Sequence, residues 1–298
     1  MKQQEQANRY FSSAAADWQK KSINASGGYS VIGGRNRAVM DVMARIENAK
    51  SFLDVGCGTG QLVIEAARGG LKSDGNDFAP EMIVQSEANA KAAGVPAHFF
   101  GGSFFDLEFE DQSYDVISAQ GFIEYISPQE TDEFFARCFR MLRPGGAVVV
   151  GSRNRLFNVF SLNDFTRLEA EIGTLGTLIA EATALNQSST TEAAFLALRR
   201  YERIDPQLGH HPITGIPVTT RYQFSPADLV YRLRRCGLTA RTLYPVHFHG
   251  LPTAFTVEHG DLHSEMASLA GEIGLRDHRL VPFSSSFVIE ARREAACP

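Results

Sequence analysis

Residues 53–62 read LDVGCGTGQL: an apolar strand carrying an acid at Asp54, glycines at 56, 58 and 60, and then the start of a helix. Glycines let a backbone approach a ligand closely, so a strand that enters a helix through such a turn makes a nucleotide site. The third glycine follows the second by two positions, giving G-x-G-x-G. A dinucleotide fingerprint needs G-x-G-x-x-G, with helix amides on a pyrophosphate, so the spacing disfavours NAD. Asp77, 21 residues after Gly56, ends the next apolar run, where a carboxylate can accept from both hydroxyls of an adenosine ribose. Its neighbours, Asn76 and Phe78, offer no cation for a ribose 2′-phosphate, which disfavours NADP. The competing use of Asp77 is as a helix-capping acid.

Outward from this turn, the runs SFLDV, LKSDGND, AHFFGG, YDVISAQ and AVVVGS alternate with helix-like stretches. That alternation implies a parallel sheet with both faces covered. Between Arg153 and Thr220 the strand pattern stops. One helical stretch there carries Leu168, Ile172, Leu175 and Ile179; another carries Phe195, Leu198 and Tyr201. Residues 153–223 therefore read as a helical cap inserted into the sheet domain. Ser225-Pro226-Ala227-Asp228 then supplies an N-cap hydroxyl, a first-turn proline and an acid, and Gly237 can end the helix. TARTLYPVHFH and SSFVIEARR close the sheet, joined through a helix with Leu262, Met266, Leu269 and Ile273 aligned. Residues 1–47, with Tyr10, Phe11 and Trp18 ahead of a glycine-rich break and RNRAVMDVMARI, read as an amino-terminal helical lid.

The 298 residues are 44% apolar and 21% charged, an ordinary globular composition that excludes a disordered or fibrous chain. Charge balance is 29 basic against 34 acidic residues, net −5, so no overall positive field exists to hold nucleic acid or anionic lipid. A small-molecule partner fits better. The four cysteines form no C-x-x-C pair, and no apolar run suits a signal peptide or a membrane span, so a cytoplasmic protein is expected.

With these motifs in order, the chain resembles the class I S-adenosylmethionine-dependent methyltransferases over about residues 51–151. LDVGCGTG is similar to their first motif and GNDFAPEM to their ribose-binding acid and following helix. EDQSYDVISAQGFIEYI matches their fourth strand, and MLRPGGAVVV the entry to the fifth. SPADLVYRLRRCGL extends the likeness towards residue 250. The RNR segment and FIEYI are most similar to quinone-biosynthesis methyltransferases. The fold implied is α/β: a Rossmann-like, seven-stranded, mostly parallel sheet with helices on both faces, plus the cap. The cofactor implied is S-adenosyl-L-methionine. Its methionine and ribose portions fall to Asp54, Gly56, Gly58 and Gly60, its ribose hydroxyls to Asp77, and its adenine to Phe78. Arg37, 19 residues before Gly56, is assigned to the methionine carboxylate, and Gln120 lines the methionine tail. Where the family often has an adenine-binding acid this chain has Ser103, so a hydroxyl or the backbone beside Phe104 must substitute. Ala79 stands where a capping serine is common.

Ligands of open parallel sheets bind outside the carboxyl ends of the strands. That rule selects Glu124, Arg153, Arg155, His247 and His249 as acceptor-side residues, together with His210 and His211 of the cap. Histidine suits a general base near neutral pH, so His247 and His249 are the leading catalytic candidates, with Glu124 as a binder of an acceptor amine or hydroxyl. No acid stands beside the H-x-H pair in a ligand pattern, so no metal is expected. The expected activity is methyl transfer to a small molecule, O-directed, with N- or C-directed transfer and a non-catalytic S-adenosylmethionine-binding protein as alternatives. A homodimer is compatible with this reading.

Overall fold

The computed structural model describes residues 29–201, 204 and 222–295. Tyr10, Phe11, Trp18, His210 and His211 lie outside the described residues. β1 (Ser51–Val55), β2 (Lys72–Asp77), β3 (Ala97–Gly101), β4 (Tyr114–Gln120), β5 (Leu142–Arg153), β6 (Leu238–Phe248) and β7 (Ser284–Arg293) form a seven-stranded sheet ordered β3-β2-β1-β4-β5-β7-β6. Pairings are parallel except at β7, which runs antiparallel to β5 and β6. The strand order reverses between β1 and β4, so a crevice opens outside their carboxyl ends. β6 ends at that same edge.

β2 reads KSDGND, unusually polar for a strand buried at five of six positions. Each side chain is satisfied locally. Asp74 accepts from the Tyr114 hydroxyl at 2.7 Å, and Asn76 Nδ2 donates to the carbonyls of Phe100 and Gly102, both at 3.0 Å. Burial without such partners would be costly.

Helix α1 (Val31–Ala44) buries Ala38, Val39, Val42 and Met43 against Phe52, Val116, Val149 and Val288. The described part of the amino-terminal segment is thus a layer of the core, alongside α2 (Gln61–Arg68). α3 (Pro80–Ala93) begins at Ala79, which makes no side-chain cap, with Pro80 fixing the entry. On the opposite face, α4 (Pro128–Met141) and α8 (Pro226–Arg235) pack on Leu53, Ile117, Val148 and Ile289.

The inserted segment supplies α5 (Asp164–Glu171), α6 (Leu175–Gln187) and α7 (Thr191–Leu198). Its stem is pinched: Phe224 N donates to Arg153 O at 3.2 Å, and Arg155 N to Phe224 O at 3.0 Å. The expected Leu168–Ile179 stripe is corrected in two ways. Gly173 adopts φ 77 and divides the stretch into two helices. The face α6 buries is Leu178, Glu181, Ala182 and Leu185, while Ile172 and Ile179 are exposed. Glu181 is tolerated there because Ala227 N donates to its carboxylate at 2.7 Å.

α9 (Thr253–Glu258) and α10 (Gly260–Ile273) link β6 to the last strand. Here too the apolar stripe faces outward: Leu269 is 54% and Ile273 80% exposed, whereas His263 and Ala267 are buried. The face that α10 turns to the sheet edge is formed by His263 and Ala267. No helix among the described residues is long and apolar enough to cross a membrane.

Candidate active site

The β1–α2 turn is shaped by its glycines. Gly56, Gly58 and Gly60 take φ values of 73°, 53° and 78°, where side chains other than glycine's are strained. A Cβ on Gly60 would sit 2.8 Å from Ser86 Cβ and 2.9 Å from the Phe99 ring, whereas one on Gly58 would meet nothing within 4 Å. The backbone at Gly58 is therefore open to an approaching molecule. Gly56 N and Cys57 N both donate to Asn76 O, at 2.8 and 2.9 Å, which ties the turn to the end of β2.

Asp77 completes that tie. Its Oδ2 accepts from Gly58 N and its Oδ1 from Ala79 N, each at 2.9 Å. Burial raises its pKa, opposed by these backbone hydrogen bonds. Phe78 N also donates to this carboxylate, so the expected capping role is filled by backbone amides, and the two oxygens retain acceptor capacity beyond them. Asp54 is different. It is buried, Ser118 gives it one side-chain hydrogen bond, and its Oδ1 has no partner among the described residues. Burial, with the nearby Asp77 charge, pushes its pKa up to about 7. Gln120 repeats the pattern: Nε2 donates to Val149 O at 2.9 Å and Ser118 Oγ at 3.2 Å, while Oε1 is buried without a partner among the described residues.

Phe78 is half-buried immediately after β2. Ser103 Oγ accepts from Phe105 N at 3.3 Å. The Phe104 ring is buried among Phe105, Phe109, Phe122 and Phe134, and its carbonyl accepts from Arg137 at 3.1 Å. A ligand can therefore meet Phe104 through its backbone N–H, not its ring.

The arginine of the RNR segment that reaches the strand ends is Arg35. Its Nη2 lies 2.7 Å from Glu124 Oε1, and its Nε donates to Ser286 Oγ at 3.0 Å. Arg37, two residues on, is about 200° around the helix. It is exposed and lies beside Gly271 of α10. Periodicity could have found this, because Arg35 shares the face of Val39 and Val42. Glu124 is buried in a short 3₁₀ turn, and its Oε1 also accepts from Arg153 N at 2.8 Å. It is a fixed brace for Arg35. Arg155 is likewise committed, pairing Glu169 through two 2.9 Å hydrogen bonds in the buried root of the cap.

A family model described as a methyltransferase domain matches residues 52–146, the span holding the glycine turn, Asp77 and Gln120. Residues 52–146 carry a methyltransferase domain. A ubiquinone biosynthesis O-methyltransferase of Rhizobium etli is 30% identical over 113 residues, covering 38% of this chain and 45% of the relative. The chain thus matches less than half the length of that relative. Among solved structures, a methyltransferase from Methanosarcina mazei superposes with a TM-score of 0.56 at 18% identity, covering 86% of this chain and 98% of that one. Magnesium protoporphyrin IX methyltransferase from Synechocystis, with bound S-adenosylhomocysteine, gives 0.57 at 14% identity, covering 98% and 100%. These two likenesses show the fold.

The methyltransferase domain's own atoms suit its cofactor, S-adenosylmethionine. An open glycine backbone, an unpartnered carboxylate oxygen on Asp54 and an unpartnered amide oxygen on Gln120 are acceptors for an ammonium and hydroxyls. At the other end of the methyltransferase sheet edge, His247 and His249 lie together as expected, with ring centroids 4.6 Å apart. Burial, with neighbouring charge, lowers their pKa to about 4 and about 3, so both are neutral at pH 7 and weakly basic. The structure adds a third histidine, His263 of α10, whose Nε2 is 3.0 Å from that of His247. The sequence pattern missed it because the leucine and methionine stripe dominated that helix.

Proposed function

We propose that this chain transfers the methyl group of S-adenosylmethionine to an oxygen of a small-molecule acceptor. The observation that carries the reading is the pair of unpartnered acceptors, Asp54 Oδ1 and Gln120 Oε1, beside an open glycine turn. Asp54 takes the methionine ammonium, Asp77 the ribose hydroxyls, Phe78 the adenine face and Ser103 with the Phe104 N–H the adenine edge. Arg35, whose side chain reaches the strand ends, takes the methionine carboxylate in this reading in place of Arg37. The named activity of the Rhizobium etli relative supports oxygen as the acceptor atom.

Transfer from a sulfonium is an in-line displacement, so alignment of acceptor and methyl supplies much of the acceleration. Glu124, braced between Arg35 and the Arg153 amide, is a positioning residue in this scheme. In this reading helices α5 to α7 of the insertion cover the acceptor and exclude water. Incubation of the chain with S-adenosylmethionine and a metabolite extract, followed by mass spectrometry, should yield a product heavier by one methylene. Cofactor binding without any methylated product would reduce the reading to a binding protein.

A further inference from the structure

The corner where β6 meets α10 collects three imidazoles to which the proposed function assigns no role. His247 and His249 come from the end of β6, and His263 from the first turn of α10. One ligand-capable nitrogen of each lies within 4.8 Å of the others. A neutral imidazole has one N–H and one lone pair. His247 Nδ1 meets Ser285 Oγ at 2.8 Å, which turns its Nε2 towards His263. Both nitrogens of His249 and Nδ1 of His263 are buried without a partner among the described residues. Folded interiors seldom tolerate several unpartnered polar atoms in one cluster unless something sits among them.

The rings are also held. Tyr29 stacks on His247 with centroids 5.5 Å apart, and its hydroxyl accepts from His247 N at 2.9 Å. Phe157 lies against His249 at 4.5 Å. His247 itself takes φ 62°, a sparsely populated conformation for a residue other than glycine, of the kind found at ligand clamps.

We propose that His247, His249 and His263 form a binding site for a divalent transition metal of the zinc class, with its fourth coordination position open. Zinc bound to imidazole at about 2.0–2.1 Å in a tetrahedron sets ligand nitrogens roughly 3.3 Å apart, a geometry this cluster reaches with small rotations of its rings. Three histidines without an acid suit zinc, copper, iron or nickel and do not suit magnesium or calcium, which take oxygen ligands. Three protein ligands with an open fourth position is the composition of reactive rather than purely structural zinc sites. β6 ends two strands from β5, about 10 Å across the acceptor edge. The metal assignment itself stands without the methyl-transfer reading.

The test uses tag-free, full-length protein stripped with a chelator and titrated with Co2+ and then Zn2+. The proposal expects visible d–d absorption that saturates at one equivalent of Co2+ and is displaced by Zn2+. His249→Gln and His263→Gln, each checked by circular dichroism, should weaken Zn2+ binding beyond the roughly 10–100-fold that outer-shell partners command. S-adenosylhomocysteine affinity should stay unchanged in both, so a failed metal site and a failed cofactor site are read separately. Absence of the d–d band in the wild type, or undiminished Zn2+ binding in both variants, would overturn the proposal.

Discussion

The glycine turn after β1 and the histidine corner at the end of β6 lie along one edge of one sheet, and both bury polar atoms without partners among the described residues. They differ in what those atoms are. The turn leaves carboxylate and amide oxygens unpaired beside exposed backbone, which asks for hydrogen-bond donors. The corner leaves imidazole nitrogens facing one another, which asks for a cation with empty orbitals. Chemical type, more than the number of unpaired atoms, separates an organic-cofactor site from a metal site within one fold.

Between the two regions stands the Arg35–Glu124 pair, and the largest expected effect falls there. Arg35→Ala removes the ion-pair partner of buried Glu124 and should cost about 3–5 kcal/mol in urea unfolding. A loss under about 1 kcal/mol would mean that the edge is not braced by this pair. Asp77→Ala comes next. It removes the acceptor of three backbone amides and, in the proposed function, of the ribose hydroxyls, so cofactor affinity should fall by about 2–4 kcal/mol in a calorimetric titration. Zn2+ binding at the histidine corner should not change, and a joint loss would erase the distinction between the sites.

A smaller effect concerns pH. The Asp54 carboxyl is held at about 7 in the folded chain, above its unfolded value near 4. The native state then binds the proton more readily, so Asp54's contribution to stability is full at low pH and declines as pH rises towards 7. Asp54→Asn should flatten that decline in denaturation curves across this window, and an unchanged slope would remove the perturbed carboxyl from the account. The smallest effect is Arg37→Ala, which should stay within about 0.5 kcal/mol because the side chain is exposed.

The sheet was legible because each strand is a short run bounded by turn residues, and the Ser225–Asp228 cap and Gly237 stop marked α8 from local chemistry alone. Polar β2 was legible only through its place after the glycine turn. What could not be read was helix rotation. The 31–44 helix carries arginines on two faces, and its buried stripe selects Arg35 once it is weighed. α10 offers a strong apolar stripe that the structure leaves outside, since alanine and histidine form the face that touches the sheet. His263 stands 14 residues beyond His249, and nothing local announces that the chain turns back to bring them together.

The central claim is that the β1–α2 turn holds S-adenosylmethionine. Isothermal titration of the full-length chain with S-adenosylhomocysteine, and separately with NAD, tests it most directly. The account predicts saturable heat at one equivalent of S-adenosylhomocysteine, strongly reduced in Asp77→Ala, and none from NAD. Saturable binding of NAD with no heat from S-adenosylhomocysteine would contradict it.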